Sequence, residues 1–114
     1  MENLIWTKYG SFDLPSYNPK LDGVAKQRYT YLMQLMHQPQ IDDNYHWPIH
    51  KYDDNQKKIV ATWGPPMTCA QEPRFIADPD GTEEEDGIIL STVYDFKKRT
   101  STIVVIDPKT MTSL

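Results

Sequence analysis

The sequence predicts an all-β chain of antiparallel strands. Three observations carry this. Short runs rich in aromatic and β-branched residues recur, as in residues 58–63 (KIVATW) and 88–93 (IILSTV). The runs are closed by Pro, Gly, Asp or Asn, which punctuate regular structure. No segment makes a convincing helix. The result is seven or eight short strands with turns at short intervals.

Leu4 to Trp6 and Ser11 to Asn18 are extended segments, broken by Gly10, Pro15 and Pro19. Asp22-Gly23 is a turn signal. Arg28 to Met36 fits two periods. Leu32, Leu35 and Met36 suit a helix face, whereas Tyr29, Tyr31, Met33 and Leu35 alternate as on a strand. Aromatic enrichment favours the strand. Residues 37–46 are polar, contain Pro39 and Asp42-Asp43-Asn44, and read as a loop. Trp47 to Tyr52 is a strand and Asp53-Asp54-Asn55 a turn. Lys58 to Trp63 is a strand with Ile59, Ala61 and Trp63 on one face. Gly64-Pro65-Pro66 ends it, and Met67 to Gln71 lead onward.

Glu72 to Val93 is the organising stretch: a carboxylate before a proline, an acidic turn, and an apolar strand. Arg74 to Ala77 is a short strand that Pro79, Gly81 and the acids prevent from continuing. Asp86-Gly87 reverses the chain. Ile88 to Phe96 and Thr102 to Asp107 are strands joined by Lys97 to Ser101, and Thr110 to Leu114 is a last short segment. The acidic run Glu83-Glu84-Glu85-Asp86 reads as a solvated loop without chemistry of its own. Successive hairpins of this kind suit propeller blades, although no sequence repeat is visible. A blade takes roughly 40 to 50 residues. The chain therefore holds about two, too few to close a ring.

With 114 residues, one domain is the upper bound. A net charge of -4 argues against nucleic-acid binding. The one basic cluster, Lys97-Lys98-Arg99, falls in a hairpin loop. No apolar run reaches the roughly 20 residues that span a bilayer, and MENLIWTKYG lacks the features of a signal peptide. A single cysteine, Cys69, excludes an internal disulfide, fits a reducing compartment, and reads as a small, partly buried residue.

The three histidines do not form a metal set by spacing. His46 and His50 are four apart, but Pro48 between them opposes a helix and no adjacent glutamate completes a metalloprotease motif. On a strand they would stand about 13 Å apart, at a rise near 3.3 Å per residue. His37 lies in a loop, and all three read as surface histidines. The acids of Asp78–Asp86 fail the register of a calcium loop. No nucleophilic triad, phosphate-binding glycine loop or paired-cysteine motif is present.

Two blocks of residues nevertheless carry a resemblance. Glu72-Pro73-Arg74-Phe75, then Glu84-Glu85-Asp86-Gly87-Ile88-Ile89-Leu90-Ser91, then Ile103-Val104-Val105-Ile106-Asp107 and Lys109-Thr110-Met111, form the first. Phe12-Asp13-Leu14-Pro15, Asn18, Gly23 and Arg28-Tyr29 with Tyr31 form the second. In this order and spacing they resemble the carotenoid oxygenase family, which includes carotene-cleaving dioxygenases and the retinal pigment epithelium isomerohydrolase. The resemblance implies a seven-bladed β-propeller in the complete protein. It also implies an Fe(II) ion bound by four histidines, with glutamates that accept hydrogen bonds from those histidines. Glu72 matches one such glutamate and Asp13 another. A carboxylate in that position fixes the orientation of a ligand imidazole and raises its basicity. Asp13 departs from the pattern, because aspartate is one C–C bond, about 1.5 Å, shorter in reach.

The matched stretch does not contain the family's iron ligands. On this basis residues 1–114 are expected to be a partial carotenoid oxygenase domain, its C-terminal blades, stopping before the last histidine motif. Alone the chain would hold no Fe(II) and would be inactive. In the complete protein the substrates would be O₂ and a carotenoid or retinoid, cleaved at a double bond. Isomerohydrolase chemistry is not separated from cleavage by these residues. The expected location is cytoplasmic, and peripheral membrane contact, which the resemblance allows, stays open. The alternative is a catalytically inactive, truncated β-protein that acts as a binding module, pairing its open strand edges with another chain.

Overall fold

The computed structural model describes residues 11–21, 27–35 and 45–114, with the backbone alone at 11–14 and 35. The expected features at Leu4–Trp6, Asp22-Gly23 and His37, and most of the 37–46 loop, lie outside the described residues. Among the described residues the regular structure is nine strands and one 3-10 turn, Pro19–Leu21. No helix among them is long and apolar enough to cross a membrane.

Strands β1 (Ser11–Ser16), β2 (Tyr29–Leu35), β3 (Ile49–Asp53) and β4 (Lys58–Trp63) form an antiparallel meander, each paired with the next. Strands β5 (Thr68–Ala70), β6 (Arg74–Ala77), β7 (Gly87–Asp95), β8 (Thr100–Asp107) and β9 (Thr112–Ser113) form the second sheet. In it β5 and β6 both pair with β7, so together they serve as one interrupted first strand, followed by β7, β8 and β9. Each sheet is thus an antiparallel meander of about four positions, the pattern of a propeller blade.

Arg28 to Met36 is a strand, as its aromatic content predicts, over Tyr29–Leu35. Its mixed periodicity has a physical cause. Tyr31, Leu32 and Met33 are all buried, so both faces of the strand are apolar and simple alternation is lost. Tyr31 packs in the main core with Ile49, Ala70, Phe75, Ile89, Val93, Ile106 and Met111, between the two sheets. The Tyr31 and Phe75 rings stack at 5.6 Å. Leu32 belongs to a second cluster with Tyr52 on the other face. β4, covered on one side, keeps clean alternation, with Ile59, Ala61 and Trp63 half-buried.

Three hairpins share one device. The last strand residue is an aspartate whose carboxylate accepts backbone N–H groups of the turn. Asp53 takes Asn55 (2.8 Å), Asp95 takes Lys97 and Lys98 (2.9 and 3.0 Å), and Asp107 takes Lys109 (2.9 Å). Four residues on, Lys57, Arg99 and Met111 adopt positive φ of 56°, 55° and 55° and close the loop. The basic cluster 97–99 is therefore a hairpin turn, as expected. Gly87 opens β7 at φ 155°, where a Cβ would strike the Ile76 carbonyl and come 2.7 Å from the Phe75 ring.

The acidic segment between β6 and β7 is not the solvated loop that its charge predicts. Glu84 accepts the backbone N–H groups of Arg28 (2.9 Å) and Tyr29 (2.7 Å), and its carbonyl accepts Asn18 Nδ2 (2.9 Å). Glu85 pairs with Lys51. Asp86 pairs with Lys109 at 2.9 Å and accepts the N–H groups of Thr82 and Glu83. Those backbone bonds and the ammonium pull its pKa down to about 2. The difference arises because, apart from the local Thr82 and Glu83 N–H groups, the donors come from the first half of the chain and the last hairpin, distant in sequence and brought opposite the loop by folding.

Lys51 is buried on β3, where it faces the second sheet. Its Nζ donates to Glu85 and to the Pro108 carbonyl (2.8 Å) and lies 4.2 Å from the centre of the Tyr29 ring. Removing one partner of such a pair leaves the other buried and uncompensated. Lys51→Met should lower the unfolding free energy by about 2–3 kcal/mol, somewhat less than for a fully buried pair because Glu85 is a quarter exposed. Adding Glu85→Gln should recover much of that loss. Urea unfolding of the single and double variants measures both effects.

Candidate functional site

The first strand of each sheet contains a proline and a one-residue register shift. In the second sheet Ala70 pairs with Val93 and Arg74 with Leu90, so four steps on one side face three on the other. Gln71 keeps its bond to the Thr92 carbonyl (2.9 Å). The extra residue therefore lies at Glu72-Pro73, where proline has no N–H to continue the ladder. In the first sheet Asp13 pairs with Met33 and Ser16 with Tyr31, so three steps face two, and the extra residue lies at Leu14-Pro15. The two prolines occupy equivalent places, but the acids do not. Glu72 is inside its bulge, whereas Asp13 immediately precedes its own.

Bulges bend a strand and re-aim side chains. Glu72 is exposed, while Pro73 behind it is buried. Its carboxylate has no hydrogen-bond partner among the described residues. It opens onto a groove between the first strands of the two sheets, lined by Pro15, Ser16, Tyr17, Pro73 and Phe75. It also borders the outer face of the second sheet, beside Arg74, Leu90 and Thr92. Ser16 Oγ accepts the Phe75 N–H (3.1 Å) across the groove and ties the two first strands together. The Asp13 side chain lies outside the described residues, so only its backbone place in β1 is fixed.

The histidines are only partly as expected. His46 is half-buried. His50 is buried on β3, not at the surface. Its ring bonds Thr62 Oγ1 on β4 through Nδ1 (2.7 Å) and Gln34 Oε1 on β2 through Nε2. Burial, with a smaller contribution from His46, lowers its pKa to about 4. The sequence signal was Pro48, which excluded a helix but said nothing about strand β3 being covered on both faces. Cys69 is buried rather than partly so, and burial raises its pKa.

No three His, Cys, Asp or Glu side chains among the described residues come together to hold a metal ion. They do not form a ligand set for iron. Glu72, an unengaged carboxylate facing a groove, instead suits an acceptor for a hydrogen bond from another group. In the Asp78–Asp86 loop, the Pro79 and Gly81 carbonyls (3.2 and 3.1 Å) and that of Asp78 accept Lys20 Nζ.

Sequence reasoning missed Ser16, Lys20 and Lys51. Each is an ordinary polar residue in a strand or turn, and the side-chain hydrogen bonds described for it reach 34 to 61 residues along the chain.

Comparison with known proteins places this architecture in one class. Residues 6–114 match the family described as retinal pigment epithelial membrane protein. The chain belongs to that family, the carotenoid oxygenases. It is 32% identical over 102 residues to a carotenoid dioxygenase of Neurospora crassa, covering 90% of this chain and 16% of that protein. A crystal structure of an ACO/RPE65 chimera aligns with a TM-score of 0.70 at 25% identity, covering 90% of this chain and 21% of that one. Cobalt-substituted apocarotenoid oxygenase (ACO) of Synechocystis aligns with a TM-score of 0.71 at 24% identity, over the same shares. The chain thus spans between a sixth and a fifth of the length of these relatives.

The neutral ring of His50 gives a pH signature. Its folded pKa is lowered, so below about pH 6.5 the unfolded chain takes up a proton that the folded chain refuses. Stability should fall as pH drops from about 6.5 to about 4, by up to about 3 kcal/mol at 1.4 kcal/mol per unit. Denaturant unfolding at several pH values measures this. His50→Gln should flatten that window.

Proposed function

We propose that this chain supplies two neighbouring C-terminal blades of a seven-bladed carotenoid oxygenase. In the complete protein a carotenoid or apocarotenoid double bond is cleaved by O₂. The C=C and O=O bonds break and two C=O bonds form, so the polyene is oxidised, oxygen is reduced, and no further reductant is needed. The observation that carries this reading is the family match over residues 6–114.

The part assigned to this chain is positional. Glu72 accepts the N–H of an imidazole whose other nitrogen ligates the metal, which fixes that ring and raises its basicity. Asp13 takes the same kind of role from the first sheet, with a shorter reach. When bound, Fe(II) supplies the binding and activation of oxygen. Its ligands are assigned to parts of the protein other than the described residues, and this chain alone is inactive in this reading.

Glu72→Gln in the complete protein should reduce iron occupancy and turnover together, by about 10- to 100-fold. Metal analysis of the purified variant and a carotenoid cleavage assay read the two. Unchanged iron content would remove Glu72 from this role. The intact mass of the endogenous protein, several times 13.3 kDa in this reading, tests whether the chain works as part of a larger one.

A further inference from the structure

The Glu72-Pro73 bulge is held at both ends by residues from the first half of the chain: Trp47, just before β3, and Ser16, which ends β1. Before it, Ala70 donates its N–H to the Trp47 carbonyl (3.0 Å). After it, Phe75 donates its N–H to Ser16 Oγ (3.1 Å). Ser16 begins a short strap, residues 16–20, along the edge of β6 that faces away from β7. Beyond Ser16, which ends β1, Pro19 has no N–H to offer and opens the 3-10 turn, so the strap does not continue as a strand. Side chains bond instead, and the 3-10 turn, in which the N–H groups of Lys20 and Leu21 donate to Asn18 (2.9 and 3.1 Å), brings Lys20 to the same side. Ser16 takes the Phe75 N–H, Asn18 Nδ2 reaches the Glu84 carbonyl (2.9 Å), and Lys20 Nζ reaches the carbonyls of Pro79 and Gly81 (3.2 and 3.1 Å).

We propose that Ser16, through this strap, is a positioning residue for Glu72: its hydroxyl anchors β6 immediately after the bulge and so sets where the carboxylate points. The proposal rests on the role given to Glu72 above. A bulged residue lacks the ladder bonds that fix its neighbours. Its direction is therefore decided by the anchors on either side. Pro73, buried and with fixed φ, transmits the position of Phe75 to Glu72. An acceptor that must meet an imidazole N–H tolerates only about 0.5 Å of misplacement.

The test is a double-mutant cycle in the complete protein, with iron affinity measured by chelator competition and the melting temperature recorded alongside. Ser16→Ala should weaken iron binding by about three- to tenfold, the scale of one lost hydrogen bond. Ser16→Thr, which keeps the hydroxyl, should restore it. In the Glu72→Gln background Ser16→Ala should add nothing, because the group it positions is already lost. The same weakening in both backgrounds would mean general loosening and would overturn the proposal, as would unchanged affinity in Ser16→Ala. If Glu72→Gln leaves iron affinity intact while Ser16→Ala lowers it, the role of Glu72 falls and Ser16 does not act through it. Should Ser16→Ala fail to fold, Lys20→Met, at the exposed far end of the strap, carries the same cycle. A smaller loss that vanishes in the Glu72→Gln background supports the strap, and no loss overturns it.

Discussion

The buried ammonium of Lys51 is the constraint on which the arrangement of the two sheets depends. An unpaired charge between two sheets would cost several kcal/mol in desolvation. Here it is met from three directions: the carboxylate of Glu85, the carbonyl of Pro108 and the face of Tyr29. These come from the loop after β6, the hairpin after β8 and the start of β2. Apolar packing between Tyr31, Ile49, Phe75 and Ile89 holds the sheets together but is indifferent to small slides. An ion pair with further hydrogen bonds is directional. It fixes the register of one blade on the other, and the acidic loop is drawn in with it.

That register matters for the groove at Glu72. Sheet edges carrying unpaired backbone groups invite pairing with other chains. In this chain the first strands interrupt themselves with Pro15 and Pro73, and Ser16 takes the Phe75 N–H of β6 while Asn18 and Lys20 bond the loop that follows it. The same interruptions release one residue from each ladder. In the second sheet that residue is an acid left without a partner among the described residues. Protecting the edge and presenting the carboxylate are thus two consequences of one local device.

Asp53 shows how a turn residue can serve the fold beyond its hairpin. Its carboxylate caps the β3–β4 turn through Asn55 and also accepts Arg28 Nε and the Arg28 terminal nitrogen (3.0 and 2.9 Å). The Arg28 guanidinium, then Gln56 and the turn N–H groups, hold its pKa far below the usual carboxylate range despite burial. Arg28 in turn presents its backbone N–H to Glu84. The start of β2 is therefore bonded to a hairpin of its own sheet and to a loop of the other.

The sequence by itself determined the local structure and the family. Strands at Lys58–Trp63 and Arg74–Ala77 and the turns at Asp53-Asp54-Asn55 and within Lys97 to Ser101 were legible because alternation and turn chemistry involve residues near one another in the chain. The tight reversal expected at Asp86-Gly87 lies instead at Pro79-Asp80 and Glu84-Glu85, and Gly87 is the first residue of β7. The motif around Glu72 was legible because its order and spacing are a property of the string. Tertiary structure alone decided which acids are solvated, that His50 is buried between Gln34 and Thr62, and that Glu72 sits in a bulge braced by Ser16. Those outcomes depend on partners tens of residues away. No local pattern encodes whether a carboxylate will find a buried ammonium, or whether a strand will be covered on one face or two.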